Sequence, residues 1–316
     1  MVTSNINRTP TDWISLIGEA TFESTSVFDD VWLILNYACD ANCKFCYVNG
    51  LSPKFKTRKH IFDEIRQARR VSKGKRIGFS GGEPTLRKDI IEIMLFAKEI
   101  NFEIVHIFTH GRKFADFSYS KAMVDAGLRG AMISMHGIQE KTNDFLMGSS
   151  GTNETWRGIQ NLADLGVRIV VNFVVNRVNI DEMIPLYQRC AKITPPIYEF
   201  RVTYPSMQRA AMRNIDLVLP YESVLPKVEA LILQSNDLLV GVECFPLCLV
   251  PINIQHSAEW RYREQVDYMP ITDRVQNHHR RVWSLECVGC HNRFICTGVQ
   301  EEHVRRFGTP TIRPSC

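Results

Sequence analysis

Apolar positions along the chain fall into two alternating rhythms. Short runs rich in branched and aromatic residues occur at Val31–Tyr37 (VWLILNY), Arg76–Ser80 (RIGFS), Glu103–Thr109 (EIVHIFT), Gly130–His136 (GAMISMH), Val167–Val175 (VRIVVNFVV) and Tyr198–Thr203 (YEFRVT). Runs of this length and composition predict buried strands. Between them, apolar residues recur with the helical period over His60–Ser72, Leu86–Glu99, Ser118–Ala126, Asn153–Leu165 and Ile180–Ile193, predicting amphipathic helices. Such strand–helix alternation predicts an α/β fold with a parallel sheet and helices outside. Right-handed crossovers would curl six such units into a full or partial TIM-like barrel. A helical patch at Tyr221–Ser235 then leads into a tail that breaks the rhythm. We therefore expect an N-terminal extension (1–30), a barrel (31–205) and a small C-terminal region (206–316), with the boundary within 206–219.

Polar and special residues cluster where such a barrel places its chemistry. Cys39, Gly81, Glu83, Thr109, Ser134, His136, Asn172, Asn176 and Arg201 all lie at or just past the C-terminal ends of predicted strands. In parallel α/β architectures that edge carries the active site.

Composition narrows the class. The chain has 316 residues, 45% hydrophobic and 23% charged, with a formal charge of +4. So small an excess argues against nucleic-acid or membrane-surface partners. The polar start, MVTSNINRTP, has no secretory apolar region, and the most apolar stretch, Leu238–Ile254, carries Glu243 and two prolines. A cytoplasmic protein is expected. Its ten cysteines should then be reduced, and their clustering points to metal rather than disulfides. Cys190, inside a helical pattern, reads as core.

Cys39, Cys43 and Cys46 have the spacing C-x3-C-x2-C directly after a strand. Three thiolates so placed can hold three irons of a cubane, leaving the fourth iron open for a small molecule. Structural zinc is the plainer alternative, but it wants four ligands, and no fourth Cys or His lies nearby. This loop, with Phe45 before its last cysteine, resembles the cluster loop of the radical S-adenosylmethionine (SAM) superfamily. Ser80-Gly81-Gly82-Glu83-Pro84 resembles that superfamily's GGE element on the second strand. The resemblance covers roughly residues 28–204 and implies a partial (βα)6 barrel. It further implies that Cys39, Cys43 and Cys46 hold a [4Fe–4S] cluster that chelates SAM. Gly81, Gly82 and Glu83 would meet the methionine ammonium, with Ser134, His136 and Asn172 near ribose or carboxylate. A strand-end Ser or Asn can equally just satisfy a loop.

The tail reads Cys287-Val-Gly-Cys290, then Cys296 six residues on, followed by Thr297-Gly298. This is similar to the C-terminal cysteine segment of the SPASM and twitch subfamilies, which hold auxiliary iron–sulfur clusters. A full SPASM pattern places a further cysteine where this chain has Gln300. The resemblance therefore implies one auxiliary [4Fe–4S] cluster, with Cys248 or Cys316 as fourth ligand. A zinc or rubredoxin-like site with His291 or His303 is the alternative. Of Cys244, Cys248 and Cys316, a thiol left free of metal is a candidate hydrogen-atom donor. The basic run His278–Arg281 reads as a solvated face or a contact for an anionic substrate.

The function implied is reductive cleavage of SAM to a 5′-deoxyadenosyl radical, fed by a flavodoxin- or ferredoxin-type electron donor. That radical would take hydrogen from a small natural-product or sugar-like substrate, for epimerisation or dehydrogenation. Only 30 residues precede Val31, short for a leader-peptide-binding domain, so a ribosomal-peptide maturase is the second reading. A non-catalytic iron–sulfur electron carrier is the third, and it would need neither the open iron nor the Gly81-Gly82-Glu83-Pro84 turn.

Overall fold

The computed structural model describes residues 13–14, 28–52, 55–261, 267–268, 281–293 and 295–311. Its centre is an eight-stranded sheet formed by β1 (Phe28–Asn36), β2 (Ser72–Gly81), β3 (Ile104–Thr109), β4 (Leu128–Ser134), β5 (Arg168–Val174), β6 (Glu199–Thr203), β7 (Leu239–Glu243) and the short β8 (Asp267–Tyr268). The order is β7-β6-β5-β4-β3-β2-β1-β8, and every neighbouring pair is parallel. Helices α1 (Arg58–Val71), α2 (Ile90–Glu99), α3 (Phe117–Asp125), α4 (Glu140–Met147), α5 (Thr152–Asp164) and α6 (Met183–Ala191) connect the strands. Among the described residues the two edges of the sheet do not pair, so the barrel is partial.

The strand period sets the two faces. Val31, Leu33 and Leu35 of β1 join the same buried core as Ile61, Ile65 and Ala68 of α1, while the ring of the alternate residue Trp32 lies 4.3 Å from that of Phe108. Full burial of one such aliphatic side chain is worth about 1.5–3 kcal/mol. Local signals agree with the helix starts: Thr57 and Asp116 accept backbone N–H groups at the heads of α1 and α3, as capping residues do.

All six predicted strands are present. The sheet continues, however, past the expected 206–219 boundary: β7 pairs with β6 along its whole length, from Glu199–Leu239 to Thr203–Glu243. Five residues, one of them Gly241, gave too short a run to separate from the apolar stretch around it. The eight-residue α4 was missed for the same reason. The stretch read as one helix from Leu86 splits into a 3-10 turn at Pro84–Leu86 and α2 from Ile90. After β6 the chain forms α7 (Tyr221–Gln234) and, beyond β7, a small antiparallel sheet in which Trp13–Ile14 and β10 (Val299–Gln300) flank β9 (Arg281–Ser284). The last described helix is α8 (Glu301–Phe307). No helix among the described residues is long and apolar enough to cross a membrane.

Candidate active site

A cavity of about 370 Å³ opens at the C-terminal edge of the sheet. Its wall brings together Cys39, Cys43 and Cys46 from the loop after β1, Gly81, Gly82 and Glu83 from the end of β2, Ser134 and His136 from β4, Asn172 from β5, and Cys244 from the end of β7. Residues separated by two hundred positions meet because parallel strands deliver their ends to one rim. Cys248, Cys287, Cys290 and Cys296 are not among the lining residues, and Cys316 lies outside the described residues.

The cysteine loop is fixed by backbone bonds. Asn42 and Lys44 donate to the carbonyls of Met147 and Leu146 at the end of α4, both at 2.9 Å. On the other side Gly82 donates to Asn36 and Glu83 to Ala38, both at 2.8 Å. A Cβ on Gly81 would stand 2.1 Å from the Asn36 carbonyl oxygen, and one on Gly82 2.2 Å from that of Ala38. The glycines therefore admit the backbone at the end of β1 and at the start of the cysteine loop.

Glu83 ties the turn to its neighbours. Its carboxylate is buried and accepts from the Thr85 N–H (3.0 Å), the Thr85 hydroxyl (2.6 Å), the Thr109 hydroxyl (2.8 Å) and the His110 N–H (2.9 Å). Its oxygens are committed to the protein, tying the ends of β2 and β3 together. Beside it, buried Asn36 donates to the Glu83 carbonyl, while its Oδ1 has no hydrogen-bond partner among the described atoms. Asn36 was not singled out in the sequence, where it looked like one more strand residue. His110 was likewise missed; it pairs with Asp40 at 2.7 Å and holds that carboxyl down at about 2.

His136 is buried, and burial alone pulls it down to about 3, so it is neutral. Its Nδ1 accepts the Val174 N–H at 3.1 Å, and Phe45 packs edge-on against it at 4.6 Å. It thus braces the cysteine loop. Asn172 Oδ1 accepts the Thr203 hydroxyl at 2.6 Å.

The donor set fits an iron–sulfur cluster. Burial pushes the Cys39 thiol up to about 11 and raises Cys43 and Cys46. Unmetallated thiolates there would be costly, whereas iron removes that penalty. The Ala41 N–H points at Cys39 Sγ (3.4 Å), a contact that suits a thiolate. Among the described residues no three His, Cys, Asp or Glu side chains converge tightly enough to hold a single ion.

The tail brings Cys287, Cys290 and Cys296 together. Cys290 donates to the Cys287 carbonyl at 3.2 Å, and Cys296 Sγ accepts two backbone N–H groups, from Leu247 at 3.3 Å and Gly298 at 3.4 Å. The Leu247 contact places Cys248 one residue away from this group. His303, expected as a possible metal ligand, is instead fully buried, its Nδ1 2.9 Å from the Tyr204 hydroxyl and its ring stacked on Tyr221. Cys190 is core, as expected. The basic run lies outside the described residues at 278–280.

Cys244 stands apart from the other tail cysteines. It adopts a left-handed backbone (φ +66°), rare for a side chain with a Cβ, and its N–H donates to Glu259 Oε1 at 2.6 Å. Burial, with Glu243 next, pushes its thiol up to about 12. It is a protonated thiol on the cavity wall.

Comparison with known proteins gives a consistent placement. A sequence profile described as the Radical SAM superfamily matches residues 33–190, half of the chain. A probable GTP 3′,8-cyclase of Saccharolobus solfataricus is 31% identical over 157 residues, covering 49% of this chain and 50% of that protein. A 7,8-dihydro-6-hydroxymethylpterin dimethyltransferase of Methanocaldococcus jannaschii is 31% identical over 109 residues, 33% of this chain and 21% of that one. The chain thus spans half or less of the length of these curated relatives. Among solved structures, Streptococcus suis SuiB bound to S-adenosylmethionine superposes with a TM-score of 0.58 at 18% identity, over 69% of this chain and 51% of that one. That likeness speaks for the fold.

Proposed function

The chain belongs to the radical SAM superfamily, and on that premise we propose that it abstracts a hydrogen atom from a small-molecule substrate and returns one from Cys244, inverting a carbon centre. The observation that carries this reading is the Cys244 thiol on the same cavity wall as Cys39, Cys43 and Cys46. Those three thiols would hold the [4Fe–4S] cluster, and Ser134, His136 and Asn172 would surround SAM. When bound, cluster and SAM supply the 5′-deoxyadenosyl radical that takes the substrate hydrogen. Cys244 then closes the reaction: its S–H bond breaks, a C–H bond forms on the opposite face, and the sulfur keeps the unpaired electron. One electron from a flavodoxin- or ferredoxin-type donor and one proton restore the thiol. Glu259 holds the turn that aims the sulfur, and the apolar wall of Phe108, Met132 and Val174 keeps water from the radical. Cys248, Cys287, Cys290 and Cys296 would hold the auxiliary cluster.

A second reading is intramolecular bond formation in a purine nucleotide, favoured by the identity to GTP 3′,8-cyclases over half the chain. The two separate in heavy water. Reconstituted protein with SAM, dithionite and candidate metabolites should form 5′-deoxyadenosine and a product carrying one deuterium at the inverted carbon. Cys244→Ala should keep SAM cleavage and lose inversion. A product two mass units lighter, with Cys244→Ala fully active, would overturn inversion in favour of dehydrogenation. Turnover of peptides alone would make the enzyme a peptide maturase.

A further inference from the structure

We propose that Gln300 is a positioning residue for the SAM-cluster loop, acting through the segment Pro205–Asn214. The proposal rests on the reading that Cys39, Cys43 and Cys46 hold a cluster.

Gln300 occupies the place where the SPASM pattern carries a cysteine, four residues after Cys296. It is 1% exposed, and its amide grips one stretch of backbone twice. Nε2 donates to the Pro205 carbonyl at 2.9 Å, and Oε1 accepts the Met207 N–H at 2.7 Å. A primary amide offers a donor and an acceptor side by side, so it serves Pro205–Met207 as a neighbouring strand would. Pro205 and Ser206 are part of the cavity wall.

The other end of the segment is bonded to the cysteine loop at three points. The Ala210 N–H donates to the Cys46 carbonyl (3.4 Å), Asn214 Nδ2 to the Lys44 carbonyl (3.0 Å), and Arg213 Nη2 to Asn49 Oδ1 (2.6 Å). Between the two ends Arg209 sits in a left-handed conformation (φ +46°, ψ −111°). A non-glycine residue stays there only when its surroundings dictate it. The Ala210 bond fixes Cys46 itself, and Arg213 brings a cation onto the same loop at Asn49, three residues further on.

The physical consequence is electrostatic. Adding an electron to a thiolate-bound cluster increases its negative charge, and nearby cations make that easier. Gln300 fixes one end of the segment, the loop bonds fix the other, and the Arg213 guanidinium is held on the cysteine loop at Asn49. Any reshaping of the auxiliary lobe that moves Gln300 loosens that arrangement.

The test uses the holoenzyme with both clusters and no SAM, reading the SAM-site cluster by EPR during a redox titration. Gln300→Leu and Arg213→Gln should each lower its reduced-to-oxidised ratio at fixed potential by roughly threefold to tenfold, with iron content unchanged; tenfold is about 59 mV for one electron. Arg213→Lys should restore the parent value. If Gln300→Leu does not fold, Asn214→Ala, which cuts the bond to Lys44, must shift the ratio in the same direction. Full iron and an unshifted ratio in Gln300→Leu, or in Asn214→Ala where it stands in, would overturn the positioning role even if Arg213→Gln shifts. A parent protein with no iron on Cys39, Cys43 and Cys46 would instead overturn the functional reading beneath it.

Discussion

The two cysteine groups are assembled from different materials. Cys39, Cys43 and Cys46 lie in a loop bonded on separate sides to the end of α4, to the turn after β2 and to the segment after β6. Cys287, Cys290 and Cys296 lie between strands of four and two residues, and the neighbouring Leu285 and Val288 are 57% and 68% exposed. The barrel thus shapes the first site from long, buried elements, while the second has little core of its own. A metal site without a core draws its order from the metal. The first centre should therefore keep its fold without iron, and the second should not.

The largest effect follows directly. Changing Cys39, Cys43 and Cys46 together to Ala should abolish SAM cleavage and reduce iron from about eight to about four per chain, with thermal unfolding nearly unchanged. Changing Cys287, Cys290 and Cys296 should also halve the iron, but should expose the tail to proteolysis. Equal protease resistance in both variants would erase the contrast. So would four irons in the parent.

Next in size is Glu83. Its four protein partners are themselves buried or nearly so, and Glu83→Ala leaves them without an acceptor. Losing such a buried charge network costs roughly 3–5 kcal/mol. We expect a fall of that order in chemical denaturation, with Glu83→Gln intermediate because it still accepts from Thr85 and Thr109. A loss of SAM affinity with no loss of stability would return Glu83 to the ammonium-binding role.

The fourth auxiliary ligand sharpens the second centre. Cys248 is brought beside Cys296 by the Leu247 N–H contact, so Cys248→Ala should perturb the auxiliary cluster's spectrum while Cys316→Ala leaves it alone. The reverse result would move the ligand to the C-terminus.

How much of this was legible in the sequence follows the same divide. The six strands and the C-x3-C-x2-C loop could be read because long buried strands leave long apolar runs, and because cluster chemistry dictates spacing. The residues lining the cavity could be read from their positions at strand ends. The reasons for them could not. That Gly82 admits the Ala38 carbonyl, that Glu83 is saturated by Thr85, Thr109 and His110, and that Gln300 grips Pro205 are all pairings across long stretches of chain. Local pattern carries no trace of such partners. β7 was hidden differently: its five residues, Gly241 among them, merge into the apolar stretch around them.

The smallest effect compares one buried histidine from each region. His136 braces the first cysteine loop, and His303 anchors α8 against Tyr204 in the second. Burial pulls them to about 3 and about 4, from an ordinary value of 6.5. Below pH 6.5 the unfolded chain takes a proton at each position and the folded chain does not. Both histidines therefore leave stability intact above pH 6.5 and subtract from it as pH falls. One proton contributes a slope of about 1.4 kcal/mol per pH unit, so between pH 6.5 and pH 5 each should cost about 2 kcal/mol. Urea titrations across that range should show a shallower pH dependence, by one proton, in His136→Gln and again in His303→Gln. A parent slope unchanged by His136→Gln would mean that this ring is already charged in the folded protein, and would remove it as a neutral brace for the cysteine loop.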